Sequence, residues 1–248
     1  MYLTKTANQF YDALLTLAYP QACNLCGRSV ERREFGPACC DCWNATQVFN
    51  GREAICWKCG ALARESLRPV DPQAIRCNRC ANHFFAAARS CGVYEGALRE
   101  SVLLLKRQPR IPIHLLSLLV NVAKRPPLSR ATRLIPVPLH PERERQRGFN
   151  QASVIARSLS PKLRLLVDET SLIRSVSSER YRAGLDVKGR HETVFGAFVV
   201  TAPRLIIGES ILLIDDVFTT GATASSCADT LLAAGAAEVQ VLTIARPR

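Results

Sequence analysis

Residues 211–223 read ILLIDDVFTTGAT, and this stretch is the strongest indication of the fold in the sequence. Its first four residues are aliphatic, which is typical of a central parallel strand that is buried on both faces. Two carboxylates and a polar turn follow, and residues 222–234 then read as a helix that ends at Gly235. Because residues 238–245 (EVQVLTIA) read as the next strand, the segment predicts half of a doubly wound α/β sheet.

The turn between this strand and helix has the composition of an anion site. Ligands of such sheets bind at the carboxyl ends of the strands, where the first turn of a helix offers free backbone N–H groups. Gly221 lets the backbone approach a phosphate closely, and Thr219, Thr220 and Thr223 add hydroxyl donors. The sequence therefore predicts a phosphate-binding loop that begins directly after the acidic pair.

This segment resembles, position by position, the thirteen-residue motif that binds 5-phosphoribosyl-1-pyrophosphate (PRPP) in type I phosphoribosyltransferases. The resemblance implies that Asp215 and Asp216 hold the ribose hydroxyls. It also implies that the 5′-phosphate is held by Thr219, Thr220, Gly221, Ala222 and Thr223. A nucleotide P-loop is excluded because G-x-x-x-x-G-K-[ST] is absent.

The N-terminal third is rich in cysteine. Of eleven cysteines, eight form four C-x-x-C pairs, with gaps of twelve and seventeen residues inside the first and last two pairs. Two C-x-x-C turns complete a tetrahedron of thiolates around Zn²⁺, and both gaps fit zinc ribbons. The predicted ligands are Cys23, Cys26, Cys39 and Cys42 for one structural zinc and Cys56, Cys59, Cys77 and Cys80 for a second.

Several alternatives for the cysteines stay open. Sequential pairing of the turns is the default expectation and crossed pairing an alternative, as is one zinc beside a degenerate second site. Cys40, next to Cys39, leaves the choice of ligand ambiguous there. A redox function for C-W-K-C at 56–59 is disfavoured, since a lone oxidoreductase pair would not come with three companions. Cys91 and Cys227 stand in apolar contexts, which predicts buried core thiols.

A run of arginines lies between the cysteines and the sugar-phosphate motif. Residues 134–139 (LIPVPL) read as a strand, and residues 150–159 read as a helix. Between them stand Arg143, Arg145 and Arg147, which we interpret as a mobile basic loop, with a solvated charged surface as the alternative.

The pattern PVPLHPxRxxxRGFNQA from Pro136 onward, after a cysteine-rich ribbon and before the sugar-phosphate motif, resembles the ComF/GntX family. That family includes competence proteins of natural transformation. The resemblance spans nearly the whole chain and includes LLLK ending at Lys106, GAF at 196–198 and the terminal LTIAR. It implies that Lys106, Arg143 and Arg147 neutralise the pyrophosphate of PRPP together with Mg²⁺. The candidate catalytic residues are therefore Asp215, Asp216, Lys106 and Arg147.

The chain departs from the family pattern in two places. Residues 106–110 (KRQPR) replace a small glycine-containing turn. The T-x-x-Q and R-x-x-N elements before GAF are also replaced, with Ser177 and Arg180 near the first and Arg190 and Thr193 at the second. Both changes concern the pyrophosphate and acceptor sides, so a site that binds PRPP or a related ribose phosphate without turnover is an alternative to an active enzyme.

Length and composition set the domain plan. With 248 residues, 48% of them hydrophobic, the chain has room for two packed domains. We expect an N-terminal helix and double zinc ribbon over 1–85 and a type I phosphoribosyltransferase-like α/β domain over 86–248, its parallel sheet flanked by helices. No apolar run approaches the ~18 residues of a membrane span. Residues 13–19 are expected to form a short amphipathic helix rather than a signal peptide, which favours the cytoplasm.

The formal net charge of +12 indicates an anionic ligand. Residues 92–147 hold eleven basic and four acidic side chains, and such a concentration predicts phosphate or nucleic acid as ligand. A GC-rich genome is a second source of the many arginines.

Three functions follow from these features. The first is an accessory factor in DNA uptake that binds PRPP or a related ribose phosphate, with single-stranded DNA and DNA-uptake or recombination proteins as candidate partners. The second is an active phosphoribosyltransferase that uses an unidentified base as acceptor. The third is a zinc-ribbon interaction protein with a non-catalytic ribose-phosphate site.

Overall fold

The computed structural model describes residues 21–63, 71–175 and 197–248. The helices in these ranges are α1 Cys40–Asn44, α2 Gly96–Leu105, α3 Ile113–Ala123, α4 Pro141–Arg147, α5 Gln151–Leu163 and α6 Ala222–Ala233. The strands are β1 Ala87–Val93, β2 Arg133–Pro136, β3 Leu166–Val167, β4 Leu172–Arg174, β5 Phe198–Val200, β6 Ser210–Val217 and β7 Glu238–Arg246. Within the described ranges, no helix is both long and apolar enough to cross a membrane. The predicted helix at 13–19 and the departures at 177–193 lie outside the described residues.

Five strands form one parallel sheet in the order β1-β7-β6-β2-β3. Residues 211–214 of the central strand β6 are completely buried, as their unbroken aliphatic run predicts. Strands β4 and β5 form a separate antiparallel pair. The predicted α/β class, a parallel sheet flanked by helices, is confirmed, and the predicted strand 238–245 and helix 222–234 are each found to within one residue.

The first pair of C-x-x-C turns packs on one face of this sheet. Leu212, Ile214, Leu242 and Ile244 point to that face and share a core with apolar residues of α2, α3 and α5. Cys23, Cys39 and Trp43 belong to the same core. The first ribbon therefore completes the hydrophobic layer on this side of the sheet.

The second pair of C-x-x-C turns packs on the opposite face. Ile211, Leu213 and Val241 point there and share a core with helix α6 and with Cys56, Cys59, Cys80 and Phe85. The ribbons also bind the outer strand directly: Phe49 N–H donates to Cys91 O at 2.7 Å, and Ala88 N–H donates to Lys58 O at 2.7 Å. Pairing of this kind covers the exposed edge of β1.

The arginine run forms helix α4 and not the predicted loop, and the sequence contains the reasons. His140 caps the helix by accepting a hydrogen bond from Glu142 N–H, and Pro141 occupies the first helical position. Acidic residues stand in the first turn and Arg145 and Arg147 in the last, as the helix dipole favours. Gly148 then ends the helix with a left-handed φ of 79°.

Two further outcomes concern this part of the chain. Strand β2 ends at Pro136 and is shorter than the predicted 134–139. Val137 N–H still donates to Ile214 O, but Pro138 has no N–H group with which to continue the ladder. The predicted helix at 150–159 extends to Leu163, with Asn150 as its cap. Cys91 and Cys227 are fully buried, as predicted.

Candidate functional site

The loop after β6 has the shape that the sequence predicts. Strand β6 ends at Val217, and α6 begins at Ala222 with Gly221 as its N-cap at a φ of 83°. A Cβ at position 221 would lie 2.6 Å from Cζ of Phe218 and 3.1 Å from Nε2 of His83. Only glycine fits here, because the backbone is left-handed and both rings press on the loop.

The loop and one aspartate line a common crevice at the carboxyl edge of the sheet. Its walls come from Asp215, Val217, Phe218, Thr219, Gly221, Thr223, Ala224, Val241 and Thr243. Thr220 and Ala222 complete the turn, with Ala222 N–H donating to the Thr220 hydroxyl at 3.3 Å. The five predicted phosphate-binding residues are thus contiguous with the carboxylate that was predicted to hold the ribose.

The two predicted ribose ligands lie on opposite faces of the sheet. Successive residues of a strand alternate in direction, so Asp215 follows Leu213 to the α6 side and Asp216 follows Ile214 to the α2 side. Burial and the neighbouring charge of Asp216 raise the pKa of Asp215 to about 7, against an opposing effect of Lys106. Asp215 is therefore more readily protonated than an ordinary carboxyl group.

Lys106, a predicted cation of the site, forms an ion pair with one member of the acidic pair. It is the C-cap of α2, and its Nζ lies 3.8 Å from Oδ2 of Asp216. Both side chains are partly exposed. A cation thus stands next to the acidic pair on the α2 side.

Arg147, the other cation among the candidate catalytic residues, begins the RGFNQ element at 147–151 and is hydrogen-bonded within it. Its guanidinium donates to Oε1 of Gln151 at 2.7 Å, and Nε2 of Gln151 is buried without a hydrogen-bond partner among the described residues. Asn150 donates to the carbonyl of Val137 at 2.9 Å and accepts from Ala152 N–H. Because Val137 N–H donates to Ile214 O, this element is tied to the end of β6, whereas Arg143 and Arg145 are exposed.

The second ribbon also contacts the loop, which the sequence did not predict. The imidazole of His83 lies against the turn of the loop, with Nε2 3.1 Å from the place of a Cβ at Gly221. Burial lowers the pKa of this histidine, against an opposing effect of the Thr220 backbone. Phe84 N–H donates to the Ser225 hydroxyl of α6 at 3.1 Å. His83 stands three residues after Cys80, but only the packing of the ribbon on α6 brings it to the loop.

The eight predicted zinc ligands form two clusters of four, paired sequentially as expected. Cys23, Cys26, Cys39 and Cys42 form one, and Cys56, Cys59, Cys77 and Cys80 form the other. Five Sγ pairs within them lie 3.5 to 3.7 Å apart, and all the Sγ atoms of each cluster lie within 4.8 Å of one another. Tetrahedral zinc with Zn–S bonds of ~2.3 Å requires sulfur atoms ~3.8 Å apart, so both clusters fit this ion.

Backbone donors support the thiolate form in each cluster. Cys39 N–H donates to Sγ of Cys23, and Cys77 N–H donates to Sγ of Cys56, both at 3.3 Å. In the second cluster, backbone hydrogen bonds overcome burial and lower the pKa of Cys56 to about 6. Cys40 lies outside both clusters and accepts from the Asn44 amide, which answers the ambiguity at that turn.

Comparisons with known proteins identify relatives of this chain. DNA utilization protein YhgH of Escherichia coli (strain K12) is 31% identical over 238 residues, which cover 93% of this chain and 99% of that protein. Competence protein F of Haemophilus influenzae is 33% identical over 134 residues, 53% of this chain and 58% of its own. Competence protein ComFC of Bacillus subtilis is 28% identical over 231 residues, 82% of this chain and 89% of its own.

Two other comparisons add little. The chain matches no family model. Among solved structures, glutamine PRPP amidotransferase from B. subtilis, complexed with ADP and GMP, resembles it with a TM-score of 0.39 and 16% identity, over 57% of this chain and 30% of that one. The identity to YhgH over nearly the full length of both chains shows that this protein belongs to the ComF/GntX family.

Proposed function

We propose that the chain binds PRPP or a related ribose phosphate in the crevice at the end of β6 and serves as an accessory factor in DNA uptake. The observation that carries the proposal is the meeting of the Asp215 carboxyl, the loop 219–221 and the first turn of α6 in one crevice. A parallel sheet places ligands at this edge. Anions are favoured where a helix begins, because its first N–H groups are free and its dipole is positive there.

Each part of the crevice suits one part of a ribose phosphate. The threonine hydroxyls and backbone N–H groups of 219–223 would hold the 5′-phosphate, while Asp215 would accept from a ribose hydroxyl. Mg²⁺ would enter with PRPP, since carboxylates and phosphate oxygens are the ligands it prefers, and it would neutralise the pyrophosphate. Lys106 and Arg147 are the protein's own cations for that charge.

The accessory role draws on the family and on charge. YhgH is named a DNA utilization protein, and two relatives are named competence proteins. The arginines of α4 and the exposed Arg107 and Arg110 offer charges for single-stranded DNA. A function on incoming DNA and with recombination proteins would place the protein in the cytoplasm. The proposed domains are the ribbon domain over 1–85 and the α/β domain over 86–248.

Isothermal titration tests the ligand. Zinc-loaded protein should bind PRPP with Mg²⁺, and Asp215→Asn should weaken binding by about tenfold or more, since the carboxylate makes a charge-assisted hydrogen bond. A control variant, Asp229→Asn on the adjacent helix α6 and outside the crevice lining, should bind as the wild type does. Absence of binding to the wild type would overturn the proposal.

Fluorescence titration tests the DNA part. Labelled single-stranded DNA should bind at low ionic strength with an affinity that falls steeply with salt, and Arg143→Ala/Arg145→Ala should flatten that slope. An absence of binding at low salt would remove nucleic acid as a direct ligand.

A second candidate function, an active phosphoribosyltransferase, is favoured by the position of Lys106 beside the acidic pair. Departure of pyrophosphate from C1 leaves positive charge on the ribose and negative charge on the leaving group, which Lys106 and Arg147 would stabilise. Release of pyrophosphate in the presence of a pool of bases, lost in Lys106→Gln, would establish it. Binding without release would leave only the accessory role.

A further inference from the structure

Two bridges join the second cysteine cluster to the sugar-phosphate loop. The first runs through His83, whose backbone N–H donates to Cys80 O at 3.2 Å. Its imidazole lies against the turn of the loop, since Nε2 would be 3.1 Å from a Cβ at Gly221 and the Thr220 backbone is near enough to affect the pKa of the ring. It also stacks on Phe85, with 5.0 Å between ring centroids. One end of this bridge is thus a cysteine of the cluster and the other is the turn of the loop.

The second bridge runs through Arg246, the last residue of β7. Its guanidinium donates a hydrogen bond to the carbonyl of Cys59. It also lies over the ring of Phe218, 5.3 Å from the centroid, at cation–π distance. Phe218 in turn meets Phe85 edge to face, with centroids 5.7 Å apart. The aromatic residue that begins the loop is therefore fixed from the cluster side.

The two bridges enclose residues 218–221 between them. The Phe218 ring and the His83 imidazole are the two groups that a Cβ at Gly221 would strike. Within the part of the chain that the structure describes, the first cluster makes no comparable connection, since Cys23 and Cys39 pack with Trp43 on the opposite sheet face. The two clusters of this chain thus differ in their relation to the loop, and each is a control for the other.

We propose that His83 and Arg246 are positioning residues through which metal in the second cluster fixes the loop 218–221, and thereby sets its affinity for ribose phosphate. The effect on affinity rests on the proposed function, whereas the effect on the loop does not. Without metal, the turns at Cys59 and Cys80 lose their common centre, and the carbonyl and the histidine that they hold lose their positions. The donors of the loop then bind phosphate less well because they are no longer preorganised.

Hydrogen exchange measures the loop without any ligand. In the full-length chain, Cys77→Ser should speed amide exchange in 218–225, and Cys26→Ser in the first cluster should leave that segment at the wild-type rate. Loss of one zinc per chain in each variant confirms that the clusters were emptied. Equal exchange of 218–225 in both variants would overturn the proposal.

Variants that keep all eight cysteines cover the case in which Cys77→Ser unfolds more widely. His83→Ala and Arg246→Met should retain two zincs yet exchange faster in 218–225. His83→Gln should restore the slow rate, because its amide can donate near the place of Nε2. Arg79→Ala, exposed on the same turn, is the matched control. Wild-type exchange in both His83→Ala and Arg246→Met would overturn the proposal.

Ribose 5-phosphate titration separates this inference from the proposed function. His83→Ala should bind about three- to tenfold more weakly, as expected for one lost hydrogen bond, with Arg79→Ala unchanged. Equal binding by the wild type and His83→Ala would overturn the effect on affinity. If the wild type binds no ribose phosphate while the exchange rates respond as described, the proposed function fails and the coupling of cluster to loop stands.

Discussion

Nζ of Lys106 lies 3.8 Å from Oδ2 of Asp216, on the sheet face opposite Asp215. The acidic pair of the motif is therefore divided. Asp215 belongs to the crevice with the phosphate loop, and Asp216 belongs to a cationic neighbourhood at the end of α2. Under the proposed function, this division would separate ligands for ribose 5-phosphate from ligands for pyrophosphate, and the first two predictions rest on it.

Lys106→Gln should weaken PRPP binding by about tenfold while leaving ribose 5-phosphate binding nearly unchanged, because the lost cation faces the pyrophosphate side. Lys124→Gln is the control, since that lysine is exposed at the end of α3. Calorimetric titration of both ligands makes the comparison. Equal losses for the two ligands would show that Lys106 does not discriminate between them.

Asp215 should make stability depend on pH with a known sign. Its pKa is raised from 3.8 to about 7, so between these values the folded chain holds a proton that the unfolded chain releases. The free energy of unfolding therefore falls as pH rises from about 4 to about 7, and the loss is complete above that range. Asp215→Asn should remove this contribution. The free energy of unfolding of the variant, relative to that of the wild type, should therefore rise between pH 5 and pH 8.

Urea unfolding at several pH values checks this prediction. The control is Asp229→Asn, which removes a carboxylate of the adjacent helix α6 outside the crevice and should keep the wild-type slope. A constant difference between Asp215→Asn and the wild type across pH 5 to 8 would mean that the carboxyl titrates normally.

Gly221→Ala should destabilise the loop for two reasons. The φ of 83° disfavours an L-residue by about 1 kcal/mol, and the new Cβ would lie 2.6 Å from Cζ of Phe218. Gly208→Ala isolates the first reason, since its φ is 75° and no atom lies within 4 Å of its Cβ. We expect ribose 5-phosphate binding to be lost only in Gly221→Ala; retention there would place the phosphate elsewhere.

Asn150→Ala should cost about 2 kcal/mol in unfolding free energy, because it removes the cap of α5 and the hydrogen bond to Val137 O. Asn150→Asp keeps the cap and loses the donor, so an intermediate loss is expected. The exposed Gln146→Ala is the control. Denaturant curves give the values, and a change below about 0.5 kcal/mol for Asn150→Ala would contradict this structural role.

Metal content should distinguish ligand cysteines from their neighbour. Wild type and Cys40→Ser should each hold two zincs per chain, whereas Cys39→Ser should lose one, because Cys40 lies outside both clusters. Elemental analysis of purified protein measures this. Loss of zinc from Cys40→Ser would assign the fourth ligand of the first cluster differently.

The sequence predicts those parts of the fold whose signals are local. The aliphatic run 211–214, the turn at Gly221 and the spacing of the cysteines each predict an element that the structure contains. From the sequence we predict a loop where the structure has helix α4, although the cap, Pro141 and Gly148 are local signals too. The capping residues, and not the run of arginines, determine the conformation of this segment.

Other features depend on contacts between distant segments, which no local pattern reveals. The packing of the two ribbons on opposite sheet faces is decided by which apolar residues meet when the chain folds. His83 and Arg246 reach the loop only through that packing, since His83 is 137 positions from Thr220 and Arg246 is 28 positions from Phe218 in the sequence. Their position beside the phosphate loop could therefore be found only in the structure.

A crystal structure of the zinc-loaded protein with ribose 5-phosphate is the most direct test of binding in the crevice at the end of β6. We expect the phosphate within hydrogen-bond distance of the backbone N–H groups of 219–223 and a ribose hydroxyl on Asp215. A phosphate bound on the arginines of α4, with the loop 219–223 empty, would contradict it.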